Sequence, residues 1–365
     1  MIIEFDSSII DSDAPEGEVR FAIESVCAAV RRGYHFLFSG RAVLDYLLTF
    51  PGITKESRVV IDGVRSSYAT TAGFLSSFGY RVIIRSDIPA CRQVAGGRWE
   101  VPLSSIVDHG VQPVNLLGEN SRDAELYTEA ARHYVINNKL GPIQIHGVPR
   151  NGNGAGTSQE LRRYIEQRRE WVVCLTDSDR CCPADSLGDI AQMCAGEVRR
   201  GSWVALHAHV SGRTIENVLP HNLVADAVPP ELQERVSNVS RLHHLHGSEV
   251  INHANLKDGV HAKWIRNLGE NSASRNFWEP IAVAEGIDCA DCCLPQAQCG
   301  RDSVCQRYVL RGFGSALSEH VQRHLEGISP HKAAERAKSS FNSDLWNAIG
   351  KVVCLMAMAP KPSRS

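Results

Sequence analysis

The chain lacks the basic stretch followed by an apolar core that marks a secretory signal; it opens MIIEFDSS instead. It also lacks any run near the ~18 uninterrupted apolar residues of a membrane helix. The short apolar tail at 352–358 reads as the end of a packed helix. A charge excess of one sign is missing too: the formal net charge is −2, without the basic surplus by which a nucleic-acid binder often announces itself. No Gly-Lys-Ser/Thr follows the glycine-rich stretch 150–157, so a Walker-type ATP site finds no support. No H-E-x-x-H pairing and no internal repeat is present. With 43% hydrophobic and 22% charged residues, the expectation is an ordinary globular protein of the cytoplasm with no membrane association.

At 365 residues the chain has room for two or three domains. Residues 17–50 read as helical, with Phe21, Ile23, Val26, Cys27 and Val30 at helical spacing. Segments 58–62 and 81–85 read as short strands around a helix near 67–78. Residues 1–108 are therefore expected to form an α/β or helical module of unreadable role. From 109 to 225 strands and helices alternate. Strands are expected at Val114–Gly118, 143–148, 171–176 and 203–210, with helices at 121–135, 158–170 and 187–199. Such alternation with short connections implies an α/β fold, a parallel sheet flanked by helices. Residues 226–365 are polar, rich in histidine and mainly helical, and contain a cysteine-rich segment at 288–305.

The strand Val114–Gly118 runs directly into Glu119, and the strand 171–176 into Asp177-Ser178-Asp179. Right-handed crossovers put the carboxyl ends of parallel strands on one rim, where ligands gather. Three carboxylates expected there would repel one another and call for a cation. Oxygen-only donors suit Mg²⁺ or Mn²⁺. Asp177 and Asp179, two apart on an extended segment, are expected to point the same way. An isolated D-x-D also occurs at helix caps and in loops; its order after a strand-terminal glutamate makes it specific. A sugar-nucleotide or nucleotidyl transferase would use the D-x-D but leaves Glu119 unexplained.

At these residues the sequence resembles the Toprim family. VNLLGENSRDAELY (114–127) is similar to that family's first strand, glutamate and helix, and WVVCLTDSDR (171–180) to its third strand and D-x-D. The likeness covers about a third of the chain. It implies a Mg²⁺ site in which the aspartates hold metal and Glu119 is a ligand or an acid/base. GRTIENVLP (212–220) resembles a further segment of nuclease-type, overcoming-lysogenization-defect-like Toprim proteins. That likeness makes Glu216 an additional ligand and Arg213 and Asn217 its neighbours. The implied function is a metal-dependent nuclease acting on DNA or RNA, by analogy a bacterial antiviral-defence or mobile-element effector with a regulatory protein partner. The alternative is a non-catalytic Toprim-like module that binds nucleic acid or protein.

The segment DCADCCLPQAQCGRDSVC (288–305) offers Cys289, Cys292, Cys299 and Cys305 for a tetrahedral, structural Zn²⁺, with Cys293 able to replace Cys292. Four thiolates also suit an iron–sulfur cluster. The turn 150–157 reads either as a phosphate cradle or as a flexible turn with Thr157 or Ser158 capping a helix. His243, His244 and His246 read as packing or surface residues. Lys257 reads as a surface lysine that would otherwise neutralise transition-state charge. Arg162, Arg163, Arg168, Arg169, Arg199 and Arg200 read as solvated helix faces or local basic patches.

Overall fold

The computed structural model describes residues 1–76, 78, 80–94, 97–199, 202–289 and 305–362, and shows an α/β chain with a parallel-dominated sheet flanked by helices. Two units share the chain by turns. Met1–Leu175, Met193–Ala208 and Ile349–Ser365 make the first; Thr176–Gln192 and His209–Ala348 make the second.

In the first unit, β1 (Ile2–Phe5), β2 (Phe36–Leu37), β3 (Arg81–Arg85), β4 (Arg92–Val94) and β5 (Arg98–Pro102) form a sheet in the order β2-β1-β3-β5-β4. Every pairing is parallel except that of β4 with β5. The helix Glu16–Arg31 buries Val19, Ala22, Ile23, Val26 and Cys27, spaced by three and four residues as one helical face requires. Phe21, which the periodicity placed on that face, is 48% exposed.

The segment 58–62 is helical, contrary to the strand expected from its β-branched run. It lies within the helix Lys55–Ser66, whose N-cap Thr54 accepts a hydrogen bond from the Ser57 amide. Glu24 accepts further bonds from the Thr54 amide and from the Ser57 hydroxyl. Burial of Ser57 and Ile61, four apart, with Val59 at 64% exposed, is a helical pattern. Capping and tertiary contact override β propensity here.

A second sheet contains β6 (Val114–Gly118), β8 (Gly147–Asn151), β9 (Val172–Thr176) and β10 (Ala205–His209), in the order β10-β9-β6-β8, whereas β7 (Gln144–Ile145) belongs elsewhere. Both β8 and β9 run parallel to β6. β6 and β9 are buried along their whole length, as central parallel strands must be. The one strand expected at 143–148 is thus two. The amide of His146 donates to the Ala357 carbonyl, and β7 pairs antiparallel with Met358–Ala359. At Gly147 a β-carbon would come 2.5 Å from Leu116, so this start of β8 fits against β6 only without a side chain. The helices Ser121–Asn137 and Thr157–Gln167 bury Ala124, Leu126, Tyr127 and Ala130, and Leu161 and Tyr164.

The second unit is mainly helical. Its helices include His221–Ala227, Gln233–His246, Ser248–His253, Ala273–Ala284, Leu317–Glu326 and Pro330–Lys338. A small antiparallel pair, β11 (Gly259–His261) with β12 (Tyr308–Arg311), is set among them. No helix of the described residues is long and apolar enough to cross a membrane.

Candidate functional site

Glu119 belongs to the first unit, at the carboxyl end of β6. It is half-buried, and its carbonyl accepts from the Gly154 amide at 2.9 Å. Asn120 caps the following helix by accepting from the Asp123 amide at 3.1 Å. Its own amide donates to the Asp123 carboxylate, which is only 4% exposed. Asp123 is a buried acid one turn beyond Glu119 that the motif reading passed over; the four-residue spacing was its only signal.

The glycine-rich turn 152–156 spends its amides on the chain. Gly152 donates to the Gly118 carbonyl at 2.8 Å and Gly154 to that of Glu119. Neither Thr157 nor Ser158 caps the helix: the N-cap is Gly156, and the Thr157 hydroxyl donates to the Gly154 carbonyl. Nearby, Arg162 pairs with Glu197 and Arg163 with Glu160, as solvated helix faces do; Arg200 lies outside the described residues.

The second unit holds the other three predicted acids. Beyond β9 the chain is pinned by backbone bonds: Ser178 and Asp179 amides both donate to the Arg213 carbonyl, at 3.1 and 2.9 Å. The Ser178 hydroxyl donates to the Gly212 carbonyl at 2.7 Å. Asp177 is 8% exposed and accepts from the Ile215 amide at 2.9 Å. Asp179 is exposed and has φ +54°, the left-handed region. The extended geometry expected through the D-x-D therefore ends at Asp179, because the backbone turns there. Gly188 makes that turn possible: a β-carbon on it would stand 2.6 Å from Asp179 Oδ2 and 2.7 Å from Asp179 Cβ.

Segment 212–218 brings Glu216 to the same unit. A short helix, Ile215–Val218, begins in a capping box between Thr214 and Asn217. Glu216 is 3% exposed; its Oε2 accepts from the Thr214 hydroxyl at 2.7 Å and stands 3.3 Å from Lys257 Nζ. Lys257, read from sequence as a surface side chain, is thus the cationic partner of a buried predicted ligand. Its turn is held by Asn255, whose Oδ1 accepts from the Lys257 and Asp258 amides.

Asn217 proves to be a strut. Its Nδ2 donates to the Ile251 and Ala254 carbonyls at 2.7 and 2.8 Å, and its Oδ1 accepts from the Thr214 amide at 2.9 Å, while the single proton of the Thr214 hydroxyl goes to the nearer Glu216 carboxylate. Three of the four hydrogen-bonding positions of the amide are thereby used.

Comparison with family models, with curated proteins and with solved structures returned no match. The site stands on its own geometry.

Among the described residues no three histidine, cysteine or acidic side chains are grouped so as to hold a metal ion. Asp177 and Glu216 instead share their oxygens with protein donors. The oxygen donor set still fits a hard divalent cation, since Mg²⁺ takes one or two protein carboxylates and completes its shell with water and phosphate. The cysteine segment is only partly visible: Cys289 and Cys305 are buried, while Cys292, Cys293 and Cys299 lie outside the described residues. The Cys289 thiol is pushed up, first by burial and then by Glu279 and Asp288, with Cys305 near enough to add to the effect. His246 pairs with Glu285 at 2.8 Å and His243 stacks on Phe341, both packing roles.

Proposed function

We propose that this chain is a Toprim-type, metal-dependent nuclease that hydrolyses phosphodiester bonds of DNA or RNA. The observation that carries the reading is Glu216. A carboxylate 3% exposed, tied to the Thr214 hydroxyl and the Lys257 ammonium, sits in a segment whose backbone is bonded to the D-x-D turn. Burying a carboxylate costs several kcal/mol unless it is paired; Lys257 offsets that cost here, and a divalent cation would be a further partner for the same carboxylate.

Asp177, Asp179 and Glu216 would hold Mg²⁺ or Mn²⁺. When bound, the metal neutralises phosphoryl oxygens and lowers the pKa of a coordinated water. The chain's own contribution is positional. The Ile215 amide fixes Asp177, Thr214 fixes Glu216, and the left-handed turn presents Asp179 to solvent. Lys257, 3.3 Å from Glu216, would offer positive charge to a phosphate. Glu119 enters as an acid/base group on the strength of the sequence resemblance. A structural Zn²⁺ at the cysteine segment and a regulatory partner belong to the same proposal.

A second reading, a non-catalytic binding module, draws on one observation: Glu216 already has a protein cation as partner. Cleavage of circular and linear DNA and of RNA with Mg²⁺, Mn²⁺ or EDTA separates the two, beside Asp177→Ala and Glu119→Gln. Metal-dependent cutting lost in both variants is the expected result. No cutting under any metal by folded parent protein refutes the nuclease reading.

A further inference from the structure

Two arginines of the second unit flank the D-x-D turn with donors left over. Nε of Arg180 and Nη1 of Arg213 are buried and have no hydrogen-bond partner among the described residues. Both arginines are firmly placed. The Asp179 amide donates to the Arg213 carbonyl at 2.9 Å, which sets the adjacent Arg180 beside Arg213. The Arg213 amide donates to the Asn252 carbonyl at 2.7 Å, and its guanidinium lies 5.9 Å from the centroid of the Trp264 ring. Nδ1 of His253 stands 3.2 Å from the Arg180 carbonyl.

A buried donor without an acceptor costs about 1–3 kcal/mol, and more when it is charged. Two such donors, on segments joined by the Asp179–Arg213 backbone bond, therefore call for an acceptor that the described residues do not supply. An oxyanion answers guanidinium donors best, and phosphate matches their planar fork.

We infer that Arg180 and Arg213 form a clamp for the non-bridging oxygens of a nucleic-acid phosphodiester, positioning the backbone against the D-x-D turn. The identity of the ligand as nucleic acid rests on the nuclease reading; the clamp itself rests on the unspent donors. Trp264 supports the guanidinium plane of Arg213 through a cation–π contact. Both are positioning residues.

The test is anisotropy of labelled single-stranded and duplex DNA and RNA with the full chain in EDTA, where no metal-dependent cutting occurs. Inorganic phosphate serves as competitor. Arg180→Gln and Arg213→Gln are each expected to weaken binding about tenfold and to reduce the salt slope by about one. Lysine variants, which keep the charge, carry the test if the glutamine variants unfold; they should retain the salt slope and lose affinity. Parent-like binding by folded arginine variants overturns the clamp, as does failure of the parent to bind any oligonucleotide. Arginine-dependent binding of inorganic phosphate without oligonucleotide binding overturns the phosphodiester assignment. Arginine-dependent oligonucleotide binding with no cleavage under any metal leaves the clamp standing and refutes only the nuclease.

Discussion

Replacing Asn217 by alanine should destabilise the second unit more than any change to the predicted acids. Asn217 is 1% exposed and uses three of its four hydrogen-bonding positions, at 2.7, 2.8 and 2.9 Å. Leaving the Ile251 and Ala254 carbonyls buried and unsatisfied, at ~1–3 kcal/mol each, gives a loss of about 2–6 kcal/mol. For 365 residues unfolding together that corresponds to a fall of roughly 3–8 °C in the unfolding midpoint. Asn217→Asp is the sharper companion. It keeps the acceptor toward Thr214 but turns two donors into charge against the Ile251 and Ala254 carbonyls, so it should cost at least as much. Urea and thermal unfolding by circular dichroism would measure both. A loss below about 1 kcal/mol in either variant would refute the assignment of Asn217 as the strut of the 212–218 segment.

Gly188→Ala should cost about 1–3 kcal/mol by overpacking, since its new methyl would stand 2.6 Å from Asp179 Oδ2; denaturation at the parent's midpoint would contradict this. Asp179→Gly should leave stability within about 1 kcal/mol, because release from the left-handed conformation offsets the added freedom of the unfolded chain, yet should abolish cleavage. Unfolding and nuclease assays on one preparation check both halves. His133 and His221 are lowered to about 4, mainly by burial. Between pH 6.5 and 4 the unfolded chain binds these protons and the native one does not, so stability should rise with pH through that window. His221→Gln should flatten part of the rise, and an unchanged slope would count against the reading.

The strand–helix alternation of the second sheet was legible because its central strands are buried on both faces and read as continuous apolar runs. Val114–Gly118 and Val172–Thr176 fall within a residue of their expected limits. The helix at 55–66 was illegible locally. Its decisive contacts come from Glu24, some thirty residues earlier, and a run of Val-Val-Ile carries no mark of that cap. The strand expected at 143–148 was divided for the same kind of reason: the Ala357 carbonyl that takes the His146 amide lies far along the chain. Glu216 and Lys257 are likewise distant in sequence, so spacing could not show that the lysine answers the glutamate.

The second unit is most strongly determined just where it surrounds its polar groups. Asn217 is bonded through both ends of its amide, the Asp179 and Ser178 amides converge on one carbonyl, and Gly188 leaves room for a turn that a side chain would block. Within that frame the departures from local consistency are few and close together: a left-handed aspartate, a buried glutamate, and two guanidinium groups with donors unspent. Folds tolerate such departures at sites that work on a ligand, and compensate for them in the supporting shell. A purely structural loop would gain by losing each of them. Asp179→Gly tests this for the first, and the arginine variants for the last, since only a ligand-binding site should lose binding or cleavage where stability is spared.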